Sequence, residues 1–299
     1  MARSFILGAG GFLGHHLSSA LAKAGQRPVL AGLRARLSLD GESDQIVTGH
    51  LNDFSALEPY AGEGDTYYYL IASMTPSNSA ATPSRFIPGN LELFVRFLEW
   101  AAGRPGARVV FASSGGTVYG NATVIPTPES APLQPVSYYG LLKAASEQYL
   151  RIFVAQGCIE GTVLRISNPF GPGQKLNRGQ GLIPALIARI KSGEPVDMID
   201  VGRAVRDFIY IDDVIEAMVL AGHHPALRNE TVNVGSGTGT SVREVLALVE
   251  QALGAKAKLN MVPARFGDVD VSTLDCTKIR HLTGWQPRYS LQSGLRACL

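Results

Sequence analysis

Short apolar runs separated by longer stretches with a helical apolar period organise the first half of the chain. Ser4–Leu7 is one such run, and others fall at residues 28–31, 67–71, 108–112 and 162–166. None alternates apolar with polar positions, so each predicts a strand buried on both faces. Between them the spacing predicts helices over 14–24, 90–102 and 139–156. Strands without a polar face that alternate with helices predict an α/β fold: a doubly wound parallel sheet covered on both sides.

Beyond residue 167 the pattern changes. Asn168-Pro169-Phe170-Gly171-Pro172-Gly173 is a loop signal, followed by an amphipathic helix over 182–192 and strands at 208–211 and 231–234. Ser241-Val242-Arg243-Glu244 is a capping box that opens a helix ending at Gly254. The expected division is a sheet domain over 1–167, to which strands near 206–234 return, and a smaller mixed α/β lobe formed mainly by 168–299.

Composition narrows the function classes. The chain has 299 residues, 45% of them apolar, enough for a large core. A net charge of +2 gives no footprint for nucleic acid. Cys158, Cys276 and Cys298 lack metal-ligand spacing and are far apart, so neither a zinc site nor a disulfide framework is expected. No run reaches the ~18 to 20 apolar residues of a membrane span. The first run breaks at Gly8 without a cleavage signal. A soluble, cytoplasmic protein with no membrane partner is the expectation.

Candidate chemistry begins directly after the first strand, at Gly8-Ala9-Gly10-Gly11-Phe12-Leu13-Gly14. Glycines at 8, 11 and 14, between a strand and a helix, let backbone approach a pyrophosphate at the helix N-terminus, as in a Rossmann-type dinucleotide site. Gly8, Gly11, Phe12, Leu13 and Gly14 are therefore candidate cofactor residues. An acid about 20 residues further on would favour NAD. The chain has Ala31-Gly32-Leu33-Arg34-Ala35-Arg36 there instead, and Arg34 with Arg36 suits a ribose phosphate, so NAD and NADP both remain open.

Tyr139 and Lys143 lie one helical turn apart on one face. A tyrosine hydroxyl titrates near pH ~10, and an adjacent ammonium and a cationic nicotinamide favour its phenolate. Bringing it to ~7 takes roughly 4 kcal/mol.

With these motifs the chain resembles the extended short-chain dehydrogenase/reductases, in particular the UDP-glucose 4-epimerase-like branch of the NAD-dependent epimerase/dehydratases. The similarity extends to Ser113-Ser114-Gly115-Gly116-Thr117-Val118-Tyr119-Gly120, to Leu164-Arg165-Ile166-Ser167-Asn168-Pro169-Phe170-Gly171, and to Val205-Arg206-Asp207-Phe208-Ile209-Tyr210. It implies Asn90 as an active-site asparagine at the cofactor, Tyr139 and Lys143 as catalytic and cofactor residues, and Asn168 facing a sugar nucleotide. Arg206 would neutralise a UDP or dTDP diphosphate, and Arg265 and Asp268 would contact its phosphate and ribose end. Such enzymes often serve polysaccharide biosynthesis and pair as homodimers through helices resembling 90–102 and 139–156.

The chain departs from the family pattern at three places. Gly115 stands where the epimerases carry a catalytic serine, leaving Thr117, Ser114 or Ser113 to supply the hydroxyl. His50 and Tyr69 replace an aspartate and a histidine. Asp200 and Arg203 occupy a loop where relatives have a glycine-aspartate-glycine run. The implied activity is inversion of a hexose at C4 through a transient 4-keto sugar. The alternatives are an NADPH-dependent 4-ketoreductase, a dehydratase, which the glycines at 115 and 116 disfavour, and a non-catalytic dinucleotide sensor.

Overall fold

A computed structural model of the chain describes residues 2–32, 54–74, 82–174, 181–263 and 267–299, together with the backbone of 45–48. The first half alternates β1 (Ser4–Leu7), α1 (Phe12–Lys23), β2 (Val29–Gly32), β3 (Gln45–Thr48), β4 (Thr66–Tyr69), α2 (Leu93–Ala102), β5 (Arg108–Ser114), α3 (Tyr138–Ala155) and β6 (Glu160–Ile166). There follow β7 (Asn168–Phe170), α4 (Leu182–Ser192), β8 (Val196–Ile199), β9 (Val205–Tyr210), α5 (Ile211–His223), β10 (Thr231–Val234), β11 (Gly239–Ser241), α6 (Val242–Leu253), β12 (Leu259–Val262), β13 (Val271–Ser272), α7 (Thr277–Thr283) and α8 (Leu291–Ala297).

Seven strands pair in parallel in the order β10-β6-β5-β4-β1-β2-β3. Successive residues point to opposite faces, and the core divides accordingly. Phe5, Leu7, Tyr67, Tyr69, Val109 and Phe111 pack on Phe94, Phe97, Leu98 and Ala101 of α2. Ile6, Tyr68, Val110 and Ala112 pack on Leu17 and Leu21 of α1 and on Ile215 and Met218 of α5. Strands with both faces covered need apolar residues throughout, which is the pattern in the sequence. The strand order reverses between β1 and β4, and the crevice at the carboxyl ends of such a pair is where ligands bind in open α/β sheets.

One expectation is corrected. Only β10 returns to the main sheet, beside β6. β9 instead pairs with β7, β11 and β13 in a second sheet. The short β7, which follows β6 almost directly, draws β9 past the end of the main sheet. The chain terminus is stitched to α5 by Asp213, whose carboxylate accepts the Arg288 and Tyr289 amides at 2.9 and 3.2 Å. The capping box at Ser241 and Glu244 forms as read, and α6 stops at Gly254 with φ +62°. No described helix is long and apolar enough to cross a membrane.

Candidate active site

The glycine turn sits in the crevice between β1 and β4. Gly8 has φ +96°, and a Cβ there would lie 3.0 Å from the Leu70 carbonyl carbon. A Cβ on Gly14 would stand 2.5 Å from the Gly8 oxygen, and one on Gly11 3.2 Å from the same atom. The turn is pinned by the Gly8 amide donating to the Ala31 carbonyl at 2.8 Å. No side chain caps α1 and its first turn holds no acid, so its amides and dipole are available to an anion. A backbone cradle that any side chain would fill fits a dinucleotide pyrophosphate.

At the next crevice inward, α3 lies against the end of β5. Ser137 caps α3 by accepting the Gly140 amide at 3.1 Å, which sets Tyr139 and Lys143 in the first two turns. The Lys143 Nζ donates to the Ala112 carbonyl at 2.7 Å and lies 4.7 Å from the Phe111 ring centroid. Burial pushes the Tyr139 hydroxyl up to about 12, and the neighbouring Ser114 hydroxyl acts in the opposite direction. Burial likewise brings Lys143 down to about 8, with Glu147 acting in the opposite direction. The protein groups alone therefore keep Tyr139 protonated at neutral pH, so the expected lowering by Lys143 is not reached without further positive charge.

The structure separates the three candidate hydroxyls. Ser113 is buried and donates to Glu147. Thr117 Oγ1 makes a long contact of 3.5 Å with the Ser114 carbonyl. Only Ser114 reaches Tyr139. At Gly115 a Cβ would stand 2.5 Å from Leu274 Cδ1 and 2.9 Å from the Arg165 carbonyl, so that position faces packed interior rather than the crevice. A Cβ on Gly116 would make ordinary van der Waals contact with Asn168 Nδ2 at 3.7 Å and Ser272 Oγ at 3.9 Å.

Arg206 is held by the Val205 and Asp270 carbonyls at 2.9 and 3.3 Å, beside Asp268 and Asp270, whose charges partly offset the lowering caused by burial. It does not pair with Asp207, whose buried carboxylate accepts from Ser236, Gly237 and Leu274. Asn168 donates to the Asp207 carbonyl at 3.0 Å. Arg34, Arg36, His50 and Arg265 lie outside the described residues. Asp200 and Arg203 pair with each other at 2.6 Å on the surface.

Asn90 lies in a π-helical turn, Pro88–Glu92, that runs directly into α2, so the helix expected over 90–102 forms with its first turn wound as π. Its carbonyl accepts the Ser73 and Met74 amides, and its amide donates to Ser73 Oγ and the Phe86 carbonyl. It shares a pocket lining with Tyr139 and Lys143, yet its hydrogen-bonding capacity goes to shaping the loop after β4. Tyr69 stacks among Phe94, Phe97 and Phe111.

Sequence reasoning passed over a buried polar network behind the site. Glu147 and Arg165 form an ion pair at 2.7 Å, with side chains 1% and 3% exposed. Arg165 also donates to the Tyr119 hydroxyl at 2.8 Å, which donates to Asn233 Oδ1 at 2.7 Å. The available signals were an arginine inside the apolar run of β6 and a glutamate one turn beyond Lys143.

Comparison with known proteins agrees with this geometry. A UDP-glucose 4-epimerase of Mycolicibacterium smegmatis is 30% identical, over 98% of this chain and 96% of its own length. The crystal structure of a Thermotoga maritima UDP-glucose 4-epimerase with UDP-glucose superposes with a TM-score of 0.90, at 30% identity, covering 99% of this chain and 96% of that one. A Thermus thermophilus UDP-glucose 4-epimerase in complex with NAD has a TM-score of 0.90 at 27% identity, covering 99% and 97%. Residues 4–235, which span the glycine turn, the end of β5, the start of α3 and the Arg206 strand, match the NAD dependent epimerase/dehydratase family. The chain thus belongs to that family and is an enzyme of the extended short-chain dehydrogenase/reductase type.

Proposed function

We propose that the chain is a nucleotide-sugar 4-epimerase that binds NAD and inverts C4 of a UDP-hexose through a transient 4-keto sugar. The observation that carries this reading is Tyr139 with Lys143 one turn away, the Lys143 ammonium held by the Ala112 carbonyl, next to a glycine turn that no side chain could enter. NAD, when bound, supplies reversible hydride acceptance at C4. The protein's own residues do the rest. Tyr139 Oη takes the proton of the C4 hydroxyl as the carbonyl forms and returns it when the alcohol is restored. Lys143, oriented by the Ala112 carbonyl, and positive charge at the cofactor favour the phenolate that Tyr139 must become. Ser114, neighbouring Tyr139, would hydrogen-bond the C4 oxygen as the carbonyl forms.

Gly8, Gly11 and Gly14, with the amides of Phe12 and Leu13, would hold the pyrophosphate. Arg206, with Asp268 and Arg265 further along, would hold the UDP diphosphate and ribose, because a guanidinium grips phosphate oxygens bidentately. Asn168, beside Gly116, would face the sugar nucleotide. Dehydratase chemistry needs an acid beside the catalytic hydroxyl. Here Gly115 is backed by Leu274 and no side chain projects from Gly116.

A homodimer is part of the same proposal. Tyr138, Leu141, Tyr149 and Ile152 are 47, 54, 42 and 54% exposed and fall on one stripe of α3. A second copy laying the same stripe against it would cover them. The test of the whole reading is to release and identify the bound nicotinamide, then follow UDP- and dTDP-hexoses by NMR. Tightly held NAD and C4 inversion of a UDP-hexose are expected; loose NADPH consumed in reducing a 4-keto sugar would overturn it.

A further inference from the structure

Three successive residues at the end of β5 each hold a different residue of α3. The Ala112 carbonyl accepts from Lys143, the Ser113 hydroxyl donates to Glu147, and the Ser114 side chain neighbours Tyr139. Residues 139, 143 and 147 are one turn apart in turn, so a single face of α3 is docked at three levels. Ser113 and Arg165 are register partners on β5 and β6, and from that shared face both converge on Glu147. Arg165 grips the Glu147 carboxylate through Nε at 3.1 Å and Nη2 at 2.7 Å. Every carboxylate bond therefore comes from a strand that cannot move without disturbing the sheet.

We propose that Glu147 is a positioning residue: anchored by Arg165 and Ser113, it fixes the rotation of α3 and sets a negative charge one helical turn from Lys143. This rests on the reading that Tyr139 and Lys143 carry the reaction. A buried ion pair is a poor source of stability, since desolvation offsets its attraction, and apolar replacements often serve as well. A pair at this depth has to be explained by what its charge acts on. The charged and titratable groups around Lys143 among the described residues are few. Tyr139 and Glu147 share its helix, Arg165 with Tyr119 and Glu129 lies behind Glu147, and Tyr69 comes from β4. α2 and the turn before it bring only Asn90 and Phe94 to this pocket. Glu147 is the negative charge that offsets the burial of Lys143. Without it, the amine would lose its proton more readily, and with it the ability to favour a phenolate.

The test is the titration of Lys143 in the NAD-bound enzyme, followed by NMR of lysine labelled at Cε and assigned by the signal missing in Lys143→Met. Glu147→Gln is expected to lower the Lys143 titration by about two pH units, the size expected for charges ~6 Å apart at an effective dielectric of ~20. Arg165→Gln is expected to raise it, because it leaves the carboxylate uncompensated. Glu147→Asp, which keeps the charge, is expected to restore it. The high-pH limb of kcat should move with the amine. If Glu147→Gln does not fold, Glu147→Gln/Arg165→Gln removes both charges and is expected to titrate below wild type, the nearer charge having the larger effect. A purely structural role would weaken both single variants without opposite shifts, and an unchanged titration in all variants overturns the proposal. The titration needs no turnover, so a wild-type protein inert toward nucleotide sugars would overturn the proposed reaction and leave this inference to be judged on its own readout.

Discussion

Ser114 and Thr117 are three residues apart, yet only one of them faces Tyr139. Their roles separate by substitution. Ser114→Ala should reduce kcat by ~10²-fold or more, as loss of a hydrogen bond to a developing oxyanion does, while Thr117→Ala stays within a few-fold of wild type; steady-state kinetics on a UDP-hexose decides, and the reverse ranking would move the role to Thr117. Lys143 gives a pH prediction of definite sign. Its titration falls from 10.5 to about 8 on folding, so between those values the unfolded chain holds a proton that the folded one has released. Stability from this group therefore rises with pH across that window. Thermal melts at pH ~8 and ~10 should show wild type gaining on Lys143→Met as pH rises, and a constant difference would contradict the burial cost. The Tyr139–Lys143 pair was legible because helical spacing alone places both on one face. The choice of Ser114, and the occupation of the Gly115 side by Leu274, depend on strand pleat and on a segment far along the chain, which spacing does not carry.

Elements were read well where a buried strand or an amphipathic helix imposed its period. β1, β5 and α4 fall where the apolar runs placed them, within a residue or two. The glycine turn was legible because close backbone approach admits one residue type. Gly14→Ala would set a methyl 2.5 Å from the Gly8 oxygen, against backbone that cannot give way cheaply. It should lower stability by ~1 to 3 kcal/mol and abolish co-purification of the nicotinamide, measured by denaturant melts and by absorbance of the released cofactor; a variant with full cofactor content would show that the turn is not the binding cradle. The helix over 90–102 was read correctly, but the π winding of its first turn at Asn90 was not, because it differs from an α-turn by one residue of hydrogen-bond spacing and leaves no mark on apolar periodicity. The Glu147–Arg165 contact was passed over for another reason: an arginine in a buried strand and a glutamate beyond Lys143 signal buried charge, but their spacing does not show that the two meet across different elements.

For the whole molecule, the α/β class and parallel sheet followed from the alternation of elements, whereas the path of β9 did not. An apolar strand reads the same whichever sheet receives it, and pairing with β7 is settled by chain path. The division of apolar residues between core and surface was equally hidden. Phe94, Phe97 and Leu98 are buried, while Leu141 and Ile152 of α3 face outward. Leu141→Glu/Ile152→Glu should convert a dimer to a monomer in analytical ultracentrifugation while leaving the fold intact by circular dichroism; a wild-type monomer would remove this stripe as an interface. The central claim concerns the fate of one hydrogen. The most direct test is to incubate the enzyme, without added nicotinamide, with a UDP-hexose carrying deuterium at C4. The account predicts the C4 epimer with its deuterium retained over many turnovers, and contradiction would come from no inversion at C4, or from inversion with the label lost to solvent or to added cofactor.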